Sequence, residues 1–364
     1  MNETVYLYLE DGTLLTGKQF GAPLKEDITA ELVFTTGMTG YVATLTDPSY
    51  YGQMVIQTFP LIGNYGVNPQ DFESDGIHMR AYLVKEWCRH PSNFRSKMDL
   101  DTFLKQQNIP GVYGLDTRTL TKRIREKGTM NAILSAEPIS EEKQENLTRW
   151  HIVNAVEAVT CKASYEVSPM HSRFHVVLWD FGFKRNILRK LQALGCRVTV
   201  VPAGTTCEEI AALSPDGILL SNGPGDPKDN PSVIAELAKL CKIKIPIFGI
   251  CLGHQLLALA NHADTGKLKY GHRGANQPVK NVLTKRSYIT SQNHGYAVAA
   301  DSLPDNAEML YTNINDNTCE GIRYNNFPAF SVQFHPEACG GPHDTEFLFE
   351  DFMELMEKSA LHSV

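Results

Sequence analysis

The sequence predicts an α/β protein: an open, mostly parallel sheet with helices, preceded by a smaller, strand-rich α+β domain. Three observations predict it. From about residue 174, apolar strand-like runs alternate with helix-like runs. Before about residue 150, short strand-like runs follow one another across Asp-Gly and Gly-Asn turns. The 364 residues also exceed the ~250–300 beyond which a single core seldom grows. The expected limits are 1–150 for the first domain, 151–173 for a polar connector and 174–364 for the second.

In the second domain the order is regular. His175–Asp180 reads as a buried strand, and KRNILRKLQAL, from Lys184, as a helix that Gly195 stops. Arg197–Val201 follows as a strand, CEEIAAL as a short helix, and Gly217–Leu220 as a strand leading into the loop SNGPGDP (221–227). The helix VIAELAKLC precedes the strand Ile245–Ile250, and strong helix formers, Gln255–Ala260, come after it. Such alternation implies right-handed crossovers and a parallel, Rossmann-like sheet. Beyond residue 280 the spacing tightens to short strands: Arg286–Thr290, Glu308–Thr312, Gly321–Tyr324 and Phe330–Phe334. An amphipathic helix closes the chain, with Leu348, Phe352, Leu355 and Met356 on one stripe. In the first domain, VYLYLEDGTLLTGKQFG and MVIQTFPLIGNYGVN are strands broken by tight turns, and helices are expected near 99–107 and 117–127.

Composition excludes several classes of function. The 42% hydrophobic and 21% charged residues are those of a folded, soluble chain. A net charge of −7 offers no basic surface for nucleic acid, and no apolar run nears the ~18 residues of a membrane span. MNETVYLYLEDG, with its acidic residues, does not read as a signal peptide. The eight cysteines form no C-x-x-C pair, as expected of reduced thiols in a cytoplasmic protein. His262, His272, His294 and His343 lack ligand spacing, so no metal is expected. The charged run Lys184–Lys190 reads as a solvated helix face. Neither a P-loop nor a G-x-G-x-x-G fingerprint is present.

One cysteine has a distinctive context. Gly249-Ile250-Cys251-Leu252-Gly253 stands where strand meets helix, the form of a nucleophile elbow with cysteine in place of serine. Such a turn lifts a side chain to the carboxyl end of a parallel sheet, where open α/β folds bind ligands. The helix N-terminus behind the sulfur favours thiolate. The same residues would equally serve a small buried side chain at a tight turn. A thiol also needs a base. His254 points beside the corner and is expected to make a structural hydrogen bond. His335-Pro336-Glu337 ends an alternating strand, and the proline keeps the chain extended, so His335 and Glu337 project to one side. That is how a carboxylate orients an imidazole, although taken alone the same residues read as a strand-end histidine beside a surface glutamate. In SNGPGDP, two glycines around a proline expose backbone N–H groups, one of which, with that of Leu252, could receive a developing oxyanion; in isolation the same residues read as a simple turn.

GICLGHQ (249–255), SNGPGDP and QFHPEA (333–338) together resemble the motifs of the triad, or class I, glutamine amidotransferases, over roughly 174–358. TGMTGY (36–41), LTDPSY (45–50), IGNYG (62–66) and DTRTLTKRIREKG (116–128) are similar to the amino-terminal domain of carbamoyl-phosphate synthetase small subunits. DFGFKRNILR (180–189) and SQNHGYAV (291–298) share that similarity. The resemblance implies that Cys251 attacks the side-chain amide of L-glutamine. His335 would protonate the departing ammonia and then activate water, and Glu337 would orient His335. Gly223 and Leu252 would supply the oxyanion amides. Gly225, Gln255, Asn293, Gly295 and Tyr296 would contact the substrate, together with Ser49 from the first domain. Tyr296 stands where the family pattern has phenylalanine, and Ala275 and Gln277 stand where related chains often carry Gly and His.

Ammonia released into bulk water takes up a proton and stops being a nucleophile, so a useful amidotransferase delivers it unprotonated. This chain has no phosphate-cradling loop and no carboxylate cluster suited to Mg²⁺. No cofactor is therefore expected on it. The resemblance implies a separate large subunit that uses ATP and Mg²⁺ to make carbamoyl phosphate from bicarbonate and ammonia, for arginine and pyrimidine biosynthesis. The extra domain, 1–150, is expected to supply much of the contact surface and the ammonia exit. Three other readings stand beside this one: an amidotransferase of another synthase, a free-standing thiol amidase, and a regulatory subunit with a relic site.

Overall fold

The computed structural model describes residues 4–361; the extreme ends of the two expected domains, 1–3 and 362–364, lie outside them. The chain forms two compact units, one of Met1–Val153 with Lys269–Arg273 and one of Asn154–Leu268 with Gly274–Val364.

The first unit contains β1 (Thr4–Leu9), β2 (Leu14–Gly21), β3 (Ile28–Thr35), β4 (Gln53–Gln57), β5 (Leu61–Ile62), β6 (Ala81–Leu83), β7 (Glu86–Trp87), β8 (Pro110–Tyr113) and β9 (Met130–Ser135). β5 and β7 pair with each other, and the other seven close a barrel in the order β1-β2-β8-β6-β4-β3-β9. Alternate residues fill its core: Val5, Leu7 and Leu9; Ala30, Leu32 and Phe34; Met54 and Ile56. This is the period of two that a strand imposes on its side chains. The outward set, including Val33, Val55 and Tyr82, packs with Val42, Leu45, Phe103 and Leu104 of the helices Tyr41–Leu45 and Leu100–Gln106. Asp99 and Asp116 cap the helices Leu100–Gln106 and Thr117–Lys127 by accepting from the N–H groups of Thr102 and Thr119. Patterning identifies strands but not which edges meet, so the expected α+β domain lacked the closure seen here.

The second unit is built on β10 (Tyr165–Val167), β11 (Phe174–Asp180), β12 (Cys196–Pro202), β13 (Gly217–Leu220), β14 (Ile247–Ile250), β15 (Thr265–Asn281, except its residues Lys269–Arg273, which belong to the first unit), β16 (Ser287–Val298), β17 (Ala307–Asn313), β18 (Cys319–Tyr324) and β19 (Ala329–Val332). Their order is β10-β12-β11-β13-β14-β19-β18-β16-β15-β17, and β17 pairs back onto β18. The expected open, mostly parallel sheet needs correction. The parallel block is β12, β11, β13, β14 and β19, and antiparallel strands flank it on both sides. β15 went unseen because TGKLKYGHRGANQPVKN is polar, interrupted by glycine and proline, and shows no apolar alternation. β16 continues eight residues past the expected end at Thr290, to Val298. Part of the expected connector also folds into this unit, as the helix Ala155–Val159 and the edge strand β10. Both are too short to show a period.

Helices cover the parallel block on both faces. Leu237, Leu240, Leu252 and Leu256 lie in one core with Ile218 and Ile247. Ile187, Leu191, Phe349, Phe352 and Met356 lie in the other, with Phe248 and Ile250. β14 is therefore buried on both sides, and its carboxyl end is held in three dimensions. No helix among the described residues is long and apolar enough to cross a membrane.

Candidate active site

β14 ends at Ile250 and the helix Leu252–Ala260 starts two residues later, so Cys251 alone makes the corner, at φ 53° and ψ −104°. A non-glycine residue there is strained and persists only where its surroundings over-determine it. They do so here. The Cys251 N–H donates to the Val332 carbonyl (2.9 Å), its carbonyl accepts from the Gln255 N–H (3.2 Å), and the Gly253 N–H donates to the Ser221 carbonyl (2.9 Å). The second glycine of the elbow is required for space. A Cβ on Gly253 would lie 2.3 Å from the Leu220 carbonyl oxygen of β13. The helix can start only where its backbone touches that strand.

The sulfur of Cys251 is buried and lies 3.8 Å from the Asn293 carbonyl oxygen of β16. His335 comes just past β19, next to the elbow strand, and its N–H donates to the Ser291 carbonyl (2.9 Å). Its Nδ1 donates to Glu337 Oε1 at 2.7 Å, with both side chains essentially inaccessible. That bond fixes the tautomer and leaves Nε2, which has no hydrogen-bond partner among the described residues, available to the sulfur. Burial and the Lys184 ammonium both oppose charge on the imidazole. Glu337 and the Cys251 sulfur outweigh them and raise its pKa above the ordinary histidine value. Burial likewise opposes ionisation of Glu337, but His335 and Lys184 hold its pKa well below the usual carboxylate range.

Lys184 is the functional residue that sequence reasoning missed. It is buried rather than solvated, and its Nζ lies 3.2 Å from Glu337 Oε1. Its backbone N–H donates to Asn222 Oδ1 (3.0 Å), Asn222 Nδ2 donates to the Gly182 carbonyl (3.0 Å), and the Phe181 N–H donates to Ser221 Oγ (2.8 Å). The first two residues of SNGPGDP therefore hold the segment that delivers Lys184 to Glu337. Asn186 adds a hydrogen bond from Nδ2 to the Glu337 carbonyl. Lys190, by contrast, is half-exposed and pairs with Glu346. A charge-pattern reading places every lysine of such a run in water; the one signal against it is that Lys184 precedes its helix directly after the carboxyl end of β11.

The other expected residues fall as follows. Gly223 is pressed against the Phe181 carbonyl, where a Cβ would come within 2.2 Å, and beside the Leu252 side chain. Gly225, at φ +88°, abuts Ala155. Gln255 donates from Nε2 to the Tyr296 carbonyl (2.8 Å), which ties the helix Leu252–Ala260 to β16, the strand that carries Asn293, Gly295 and Tyr296. Ser49 lies in the first unit, in the short turn Pro48–Tyr50, where its N–H donates to Asp47 Oδ1 (2.9 Å). Its expected role toward glutamine stands on the resemblance alone. His254 is fully buried, with Nδ1 2.8 Å from Ser331 Oγ, and burial pushes its pKa down to about 3. It is a neutral structural group, as expected. All eight cysteines are free. Burial pushes Cys161, Cys196 and Cys319 up to about 12, so they are thiols at neutral pH.

A buried imidazole with a raised pKa, anchored by a carboxylate and facing a cysteine at a helix N-terminus, is equipped for acyl transfer through sulfur. The class of protein is a glutamine amidotransferase: the family pattern described as "Glutamine amidotransferase class-I" matches residues 177–355. Residues 7–134 match "Carbamoyl-phosphate synthase small chain, CPSase domain". A carbamoyl phosphate synthase small chain of Bacillus thuringiensis subsp. konkukian is 53% identical over 355 residues, covering 96% of this chain and 95% of the relative. That of Lactococcus lactis subsp. cremoris is 50% identical over 353 residues, covering 96% and 98%. The chain belongs to the carbamoyl phosphate synthase small chain family. Its activity is accordingly the glutamine hydrolysis that supplies carbamoyl phosphate synthesis.

Proposed function

We propose that Cys251, His335 and Glu337 carry out that hydrolysis. The thiolate of Cys251 adds to the side-chain amide carbon of L-glutamine, and the oxyanion is received by the N–H groups of Gly223 and Leu252. As the tetrahedral adduct collapses, the C–N bond breaks and His335 gives its Nε2 proton to the departing nitrogen, leaving ammonia and a γ-glutamyl thioester. His335 then takes a proton from water, whose oxygen attacks the thioester. Glutamate leaves and the thiolate is restored. Gly225, Gln255, Asn293, Gly295, Tyr296 and Ser49 are the substrate contacts in this reading. The observation that supports it most is the buried 2.7 Å bond between His335 and Glu337, anchored beside an elbow cysteine.

The ammonia passes unprotonated to a large subunit, which binds ATP and Mg²⁺ and forms carbamoyl phosphate from bicarbonate for arginine and pyrimidine biosynthesis in the cytoplasm. The first unit supplies much of the docking surface for that subunit. A chain isolated from native extract is expected to carry a second, ATP-dependent polypeptide in fixed proportion, identified by mass. Its glutaminase rate is expected to change when that polypeptide is removed. Recovery of the chain alone, hydrolysing glutamine at an unaltered rate, would instead mark a free-standing amidase.

The elbow offers a separate check. Gly253→Ala forces the helix start away from Leu220, and displacing a nucleophile by ~1 Å costs on the order of 100-fold. Steady-state glutaminase kcat is expected to fall at least that far. Near-parental kcat would contradict the close packing assigned to the corner.

A further inference from the structure

Gln255 sits one turn behind the nucleophile and is almost fully buried. Both hydrogens of its side-chain amide are spent, one on the Tyr296 carbonyl (2.8 Å) and one on Gln333 Oε1 (2.9 Å). Its own oxygen is then an acceptor and nothing else, oriented away from those two partners. Gln333 has no accessible surface, and its backbone N–H donates to the Glu320 carbonyl (2.9 Å). Its side-chain Nε2 is buried without a partner among the described residues. Turning that amide over would give Nε2 a different environment but would set two N–H donors against each other at Gln255. The observed orientation therefore serves Gln255 at the expense of Gln333, and a buried polar group left unsatisfied calls for such a reason.

We propose that Gln333 is a positioning residue. It locks the Gln255 amide with its oxygen toward the substrate, so that the pocket accepts an amino acid bearing a free α-ammonium and discriminates against the same amide without one. This rests on the reading of Cys251 as a glutaminase nucleophile. Gln333 touches no substrate atom and acts through Gln255 alone. A leucine or methionine would fill the same space between β19 and His335, so packing does not account for an amide here.

The test compares L-glutamine with its deamino analogue, glutaramate, as substrates of the assembled enzyme. In Gln333→Met, the KM for glutamine is expected to rise about 10- to 100-fold with kcat within about threefold, while kcat/KM for glutaramate stays near the parental value. Gln333→Glu, which still offers an oxygen to Gln255 Nε2, is expected to restore most of the glutamine KM. Should Gln333→Met not fold, Gln333→Asn, too short to reach Gln255, is expected to give the same rise. Equal losses with both substrates, a fall in kcat with KM unmoved, or a parental KM in the folded variants would overturn the proposal. A parent with no glutaminase activity would instead overturn the reading of the site itself.

Discussion

Cys251→Ser is expected to remove glutamine-dependent turnover, lowering kcat by on the order of 10⁴–10⁶, while ammonia supplied from solution still supports carbamoyl phosphate synthesis by the assembled enzyme. The two side chains are nearly the same size, so the strained corner and its bonds to Val332 and Gln255 persist. What changes is the nucleophile. A serine hydroxyl holds no appreciable anion at neutral pH, and the site favours a protonated His335 rather than the neutral imidazole that would have to deprotonate it. A variant keeping even a tenth of the glutaminase rate would show that sulfur is not the attacking atom.

Lys184→Met should have the largest effect on stability. It keeps the buried stem and removes the ammonium, leaving Glu337 with His335 as its sole cation among the contacts seen here. Breaking a buried pair in this way costs about 3–5 kcal/mol, read as a lower urea midpoint at neutral pH. The pH dependence has a defined sign. Glu337 is held below its unfolded value, so its contribution is present above the usual carboxylate pKa of about 4.3 and is lost as pH falls through the depressed folded value. Without Lys184 the depression shrinks, and acid unfolding begins at a higher pH. His335 is raised above about 6.5, so its contribution is complete below that pH and is lost as pH rises through the folded value. Lys184 opposes that charge, so its removal moves the alkaline limb to higher pH. An unchanged midpoint with unchanged acid and alkaline limbs would mean that the pair contributes nothing.

The site was legible in the sequence where its chemistry is local. Gly249 to Gly253, His335-Pro336-Glu337 and SNGPGDP each state a backbone geometry within a few residues, and the strand–helix alternation from His175 to Ala260 places the elbow at the carboxyl end of a parallel strand. What stayed hidden depends on contacts remote in sequence. Lys184 is buried by Asn222 and Glu337, 38 and 153 residues away, and only its place ahead of the helix separates it locally from Lys190. The orientation of Gln255 is set by Gln333, 78 residues on. β15 is held by neighbouring strands rather than by an apolar period of its own. Closure of the first unit is a property of how β1 meets β9, which no single strand encodes.

The central claim is that glutamine becomes covalently attached to the sulfur at the corner between β14 and its helix. Acid quench of the enzyme during turnover with labelled glutamine, followed by peptide mapping, tests it directly. The account predicts a γ-glutamyl label on the parental peptide containing Cys251 and none on the same peptide of Cys251→Ser. Label on another cysteine, or turnover at full rate with no acid-stable adduct on any peptide, would contradict it.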